Sequence, residues 1–150
     1  MIEVSSATGD DFAEALKLLE ESSRDGEPLP PEFVSSISEG QERGVVELLL
    51  ARLEGSSAGG AFIVFRPNIS AGSAFASIEE LYVKPEARRR GVGQALLDAV
   101  EARCARKDIS YVEVQAVEDE AAAFYRASGY EPEFDVRVFS GSVPLREGEG

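Results

Sequence analysis

The sequence predicts an α/β fold in which a mixed sheet is flanked by helices, in the order β, α, α, β, β, β, α, β, α, β. Val45 to Leu53, Gly60 to Arg66 and Ala74 to Val83 are β-rich runs separated by turn-forming residues, the pattern of three consecutive antiparallel strands. Val92, Ala95, Leu96, Ala99, Val100 and Cys104 then recur at helical spacing, and Tyr111 to Val117 alternates as a strand does. A strand, a helix and a second strand in that order imply a right-handed parallel crossover.

Each element has a local cause. Ile2 to Ser6 reads as a first strand, and Thr8 three residues before Asp11 predicts a side-chain-capped helix start, with Phe12, Ala15, Leu16 and Leu19 as its buried stripe. Arg24 to Pro31 ends that helix, and a shorter one begins at the prolines and carries Phe33 and Ile37 inward. Glu54 to Gly59 joins the first two central strands, and the residues from Arg66 to Ser73 turn into the third. Glu120 to Ser128 is the last helix, stopped by Gly129, and Phe134 to Ser140 is expected as a final strand before a frayed tail from Arg146 to Gly150.

Composition narrows the function. At 150 residues the chain suits a single domain, 1–150, with a core of its own. Without an apolar run of membrane-spanning length or a basic-then-hydrophobic leader, a cytoplasmic location with no membrane partner is expected. No histidine and one cysteine remove the usual base of a Ser or Cys triad and the common zinc ligands, so no metal is expected. Cys104 falls on an apolar helix stripe and reads as a small core residue. A net charge of −13 argues against nucleic-acid binding and favours a cationic ligand.

The most specific segment is Leu81-Tyr82-Val83-Lys84-Pro85-Glu86-Ala87-Arg88-Arg89-Arg90-Gly91-Val92-Gly93, a strand, a tight turn and a helix start. A helix N-terminus leaves about four N–H groups unpaired and carries roughly half a positive charge, which makes it an anion site. Gly91 and Gly93 allow a phosphate to approach the main chain. A P-loop nucleotide site is excluded, because no Gly-Lys-Ser or Gly-Lys-Thr follows.

Arg88-Arg89-Arg90-Gly91-Val92-Gly93 resembles the hallmark of the GNAT superfamily of acyl-CoA-dependent N-acyltransferases: Arg or Gln, two residues, Gly, one residue, then Gly or Ala. A second match is Ala121 to Tyr130, which is similar to the family's later helix ending in Phe-Tyr, three residues, Gly and an aromatic. The chain departs from many members at Glu118, where they carry Asn.

The resemblance implies a mixed sheet of about six to seven strands, antiparallel at first and with a splayed parallel pair, flanked by about four helices. It also implies acetyl-CoA as acyl donor, with pantetheine along Leu81, Tyr82 and Val83 and the diphosphate on the amides of Arg89 to Gly93. Of the side chains of Arg88, Arg89 and Arg90, one or two would touch it. The acceptor would be a small-molecule or peptide amine, and the scaffold leaves room for a homodimer. Because an aliphatic amine with a pKa of about 10 is protonated at neutral pH, a proton acceptor must be near, and a carboxylate can serve directly or through water. Glu79, Glu80 and Glu113 are the candidates, with Glu80 and Glu113 preferred. Alternation turns Glu79 and Glu80 in opposite directions, so at most one of them should face the cleft. Tyr125 is the expected acid at the departing sulfur and also a cofactor contact. A catalytically silent acyl-CoA sensor is the competing reading.

Overall fold

The structure, a computed structural model, describes residues 1–116 and 118–145. Val117 and the expected frayed tail, 146–150, lie outside the described residues. The chain divides into two compact units, Met1–Gln115 and Ala116–Gly150.

The first unit contains β1 (Ile2–Ser6), α1 (Asp10–Arg24), α2 (Pro31–Glu42), β2 (Val46–Leu53), β3 (Ser56–Asn68), β4 (Ser73–Val83), a short 3-10 turn (Pro85–Ala87), α3 (Val92–Arg106) and β5 (Val112–Val114). The sheet order is β1-β2-β3-β4-β5, antiparallel throughout except for the parallel β4–β5 pair. The mixed α/β architecture, the antiparallel start and the parallel pair agree with the sequence reading.

Leu48, Leu49 and Leu50 are all fully buried, so β2 is covered on both faces. Leu48 and Leu50 join Ala15, Leu16, Leu18 and Leu19 of α1 in one cluster. On the opposite face lies α3, whose Leu96 Cδ1 is 3.4 Å from where a side chain on Gly59 would begin. Full burial of each such leucine contributes about 1.5–3 kcal/mol. Leu97 is buried along with Val92, Leu96, Val100 and Cys104, which makes the α3 stripe wider than its spacing suggested. Glycine is required at position 59, since a Cβ there would lie 2.4 Å from the Tyr82 carbonyl oxygen.

Several expectations are corrected. The α1 N-cap is Gly9 and no side chain caps the helix; the Asp11 N–H bonds the Thr8 carbonyl at 3.1 Å, so the main chain replaces the Thr8 hydroxyl. The β2–β3 connection is only Glu54 and Gly55, both left-handed (φ 49° and 83°), and Ser56 to Gly59 belong to the strand. Two such residues match the right-handed twist of a hairpin, which explains the tight turn. The next turn likewise shrinks to residues 69–72. Phe33 is 49% exposed rather than inward.

The sheet has five strands among the described residues instead of six to seven, and Phe134 to Ser140 forms no strand. Phe134, Val136, Val138 and Phe139 are all exposed. Alternating apolar residues make a strand only where a neighbour accepts their backbone bonds, and this segment has no ladder partner among the described residues.

α2 is tied to the sheet by one side chain. Gln41 Nε2 donates to the Ala7 carbonyl (2.7 Å) while Gln41 Oε1 accepts from the Leu48 N–H (2.6 Å), so this amide substitutes for a stretch of backbone between β1 and β2.

The second unit carries α4 (Asp119–Ala127). It ends where Gly129 (φ 93°) reverses the chain and the Tyr130 N–H bonds the Tyr125 carbonyl at 2.9 Å.

Candidate active site

β4 has two partners over its first half and one over its second. Ala76, Ser77 and Ile78 pair with Val112, Glu113 and Val114, and the β5 pairing stops there. From Glu80 to Val83, β4 pairs with β3 and with no other strand among the described residues. The Lys84 N–H bonds the Ala58 carbonyl at 2.8 Å, so by antiparallel alternation the N–H groups of Leu81 and Val83 face the open edge. That edge is a template for an extended amide-bearing chain.

The open edge leads into the arginine loop. After the 3-10 turn, Arg88 is extended, Arg89 is left-handed (φ 63°) and Gly91 is left-handed (φ 88°) as the N-cap of α3. Among the described residues no protein acceptor takes the backbone N–H of Arg89, Arg90, Gly91, Val92 or Gly93; the intrahelical ladder begins with Ala95 N–H to the Gly91 carbonyl, at 3.0 Å. Unpaired amides in alternating backbone conformations at a helix N-terminus form an anion-binding concavity. The Arg88 guanidinium folds back, its Nε donating to the Val83 carbonyl at 3.1 Å. An open strand edge that leads into a set of unpaired loop amides can take an extended amide-bearing chain that carries an anionic group.

Glu79 and Glu80 are placed by a bulge. Phe62 pairs with Glu80 and Ile63 with Ile78, which leaves Glu79 as the extra residue in β4. Strict alternation therefore fails here. Both carboxylates line one pocket of about 400 Å³, whose other walls come from α1, the residues before α2, α2 itself and Phe62.

The carboxylates at this pocket differ in their partners. Glu79 accepts from the Ser77 hydroxyl and from Arg66 Nη2 (3.3 Å). Glu20 accepts the Leu29 N–H at 2.7 Å, which holds the loop that closes the pocket. Glu80 is half-buried, and its carboxylate has no partner among the described residues. Glu113 is exposed, in register with Ser77 on the paired part of β4, and is not a wall of the pocket.

In the second unit Tyr125 is 8% exposed and contacts the rings of Phe124 and Tyr130, with centroids 5.0 and 5.7 Å away. Burial pushes its phenol up to about 12 from the ordinary 10, so it stays protonated at neutral pH. The folded state holds this proton more tightly than the unfolded chain. The resulting stability is complete below pH 10 and is lost between pH 10 and about 12, amounting to about 3 kcal/mol. In a titration followed by phenolate absorbance, one tyrosine equivalent should remain un-ionised at pH 11, and Tyr125→Phe should remove that late equivalent. Burial also pushes the Cys104 thiol up, in keeping with a core role.

Sequence reasoning missed the wall contributed by Glu20, whose pocket position depends on how the α1–α2 connection folds back. Among the described residues no helix is long and apolar enough to cross a membrane, and no group of His, Cys, Asp or Glu is placed to hold a metal.

Comparison with solved structures shows the same fold across almost the whole chain. An aminoglycoside acetyltransferase from an uncultured soil metagenomic sample, in complex with sisomicin, superposes with a TM-score of 0.80 at 22% identity, covering 96% of each chain. A predicted acetyltransferase with acetyl-CoA from Clostridium acetobutylicum gives 0.76 at 15% identity, covering 93% of this chain and 96% of its own. The ribosomal-protein-alanine N-acetyltransferase from Brucella melitensis gives 0.76 at 17% identity, covering 95% and 100%. No curated protein matches. The sequence pattern of the acetyltransferase (GNAT) family matches residues 12–130, which span the α1–α2 pocket wall, the arginine loop and α4. The chain belongs to the GNAT family of acetyltransferases.

Proposed function

We propose that this protein is a single GNAT domain that transfers an acetyl group from acetyl-CoA to a primary amine by direct attack in a ternary complex. The observation that carries the reading is the set of N–H groups from Arg89 to Gly93 that have no acceptor among the described residues, continuous in sequence with the open edge of β4. Acetyl-CoA supplies the acyl group as an activated thioester. The loop amides hold the diphosphate, and the Leu81 and Val83 edge holds the pantetheine amides. One N–H of that edge faces the thioester oxygen as charge develops there, a contact of the kind that contributes about 2.7–4 kcal/mol.

Glu80 takes the proton from the bound ammonium. It is assigned this role ahead of Glu113 because it lines the pocket without a partner among the described residues, whereas Glu113 lies outside the pocket on β5, opposite Ser77 of β4. The family resemblance supports Tyr125, whose phenol keeps its proton, as the donor to the departing sulfur. Complete transfer from a phenol at about 12 to the thiolate of a thiol near 8.5 runs uphill by about 5 kcal/mol, so the phenol acts as a hydrogen-bond donor. No histidine is present and Cys104 is buried, which favours direct transfer over a covalent acyl-enzyme.

A thermal melt tests the reading. Acetyl-CoA or CoA at about a hundred times the dissociation constant should stabilise the fold by about 2.7 kcal/mol, whereas ATP should not do so. Release of free CoA thiol with an amine present then separates an enzyme from a silent sensor. No shift with either CoA species removes the proposal.

A further inference from the structure

The pocket beside Glu80 constrains the acceptor amine, a deduction that rests on the protein being an acetyltransferase. Its walls are Leu16 and Leu19 of α1, Leu29 before α2, Phe33 and Ile37 of α2, and Phe62 of β3. At about 400 Å³ it is near the lower end of ligand pockets, which run from roughly 300 to 1,000 Å³. Three carboxylates reach it, and only Glu80 is without a partner among the described residues: Glu79 is bonded to Ser77 and Arg66, and Glu20 to the Leu29 N–H. The lining also includes Arg24, whose guanidinium bonds the Glu27 and Pro28 carbonyls and pairs with the Glu27 carboxylate at 3.9 Å, so this cation is already neutralised and leaves no carboxylate of its own for a ligand.

These features select a charge pattern. One ammonium finds one unpartnered carboxylate, at Glu80. A second ammonium further in would be desolvated against leucine and phenylalanine side chains, and the other two carboxylates of the lining are already engaged, Glu20 by the Leu29 N–H and Glu79 by Arg66. We infer that the acceptor is a primary monoamine with an apolar body, its nitrogen at Glu80 and its alkyl or aryl stem against Leu16, Leu19, Leu29, Phe33 and Phe62. The net charge of −13 draws cations toward the protein, while the pocket itself offers one carboxylate without a partner among the described residues.

The test compares n-pentylamine with 1,4-diaminobutane, equal in length and differing by a methyl in place of the second ammonium. For pentylamine kcat/KM should be at least tenfold higher. It should also rise about fourfold per methylene from ethylamine to pentylamine, the increment of one buried CH₂. Phe33→Asp changes a half-exposed wall residue that the core does not need, and it should lower the pentylamine value while raising that of the diamine. Equal or reversed values in wild type, or no dependence on chain length, overturn the inference. If the diamine or an aminoglycoside is the better substrate, with acetyl-CoA still stabilising the fold, the acceptor class alone is wrong. If acetyl-CoA gives no stabilisation and no amine is acetylated, the acetyltransferase reading fails and takes the acceptor with it.

Discussion

Glu80→Gln should lower kcat/KM for an amine acceptor by about 10²- to 10⁴-fold at pH 7, the range that a positioned general base contributes. The substitution keeps the shape of the side chain and removes its ability to accept a proton. Because Glu80 makes no bond among the described residues that the change would break, the melting temperature and the stabilisation by acetyl-CoA should stay at wild-type values. The pH dependence identifies the cause. With Glu80 present the bound ammonium is deprotonated in place, so the neutral-pH profile should be shallow. In the variant only free amine from solution reacts, and the rate should climb about tenfold per pH unit until the amine's own pKa near 10. Parallel profiles for the two proteins would rule Glu80 out as the base, and the same experiment on Glu113→Gln, expected to behave as wild type, would show whether the role lies there.

The site was legible in the sequence wherever chemistry depends on contiguous residues. The arginine loop is one strand end, one turn and one helix start in a single short run, so Leu81 to Gly93 could be placed with no knowledge of distant contacts. The relation of Glu79 to Glu80 was misread because period-two alternation was assumed to continue through them. A signal was present. Ala76 and Ile78 are the buried residues before the pair, and the apolar sequence resumes at Leu81 and Val83, an odd step from Ile78 that one inserted residue produces. The pocket was hidden for a different reason. It is closed by the Glu20 carboxylate meeting the Leu29 N–H and by Arg24 meeting the Glu27 and Pro28 carbonyls, all choices of loop conformation that periodicity does not encode. The strand expected at Phe134 to Ser140 shows the converse: its alternation is clear, yet alternation alone does not supply the ladder partner that a strand needs, and none is present among the described residues.

Gly91 carries the second large effect, and two substitutions divide it. In Gly91→Ala the new Cβ would meet only Ile2 Cδ1, at 3.6 Å, so there is room for it. The φ of 88° is the obstacle, and a left-handed non-glycine residue costs about 1–2 kcal/mol. The alanine variant should therefore melt at a lower temperature while still binding CoA, with an affinity reduced only as far as the loop relaxes. Gly91→Glu adds a carboxylate next to the N–H groups of Arg89 to Gly93, where the helix N-terminus stabilises an anion by about 0.3–1 kcal/mol. That internal anion offsets part of the φ cost and competes with the diphosphate for the same donors. The glutamate variant should thus be at least as stable as the alanine one and yet bind CoA far more weakly, a loss of roughly 100-fold or more by calorimetry. Stability and affinity would then move in opposite directions across the two variants, which general loop damage would not produce. Near wild-type CoA affinity in Gly91→Glu would mean that the diphosphate lies elsewhere.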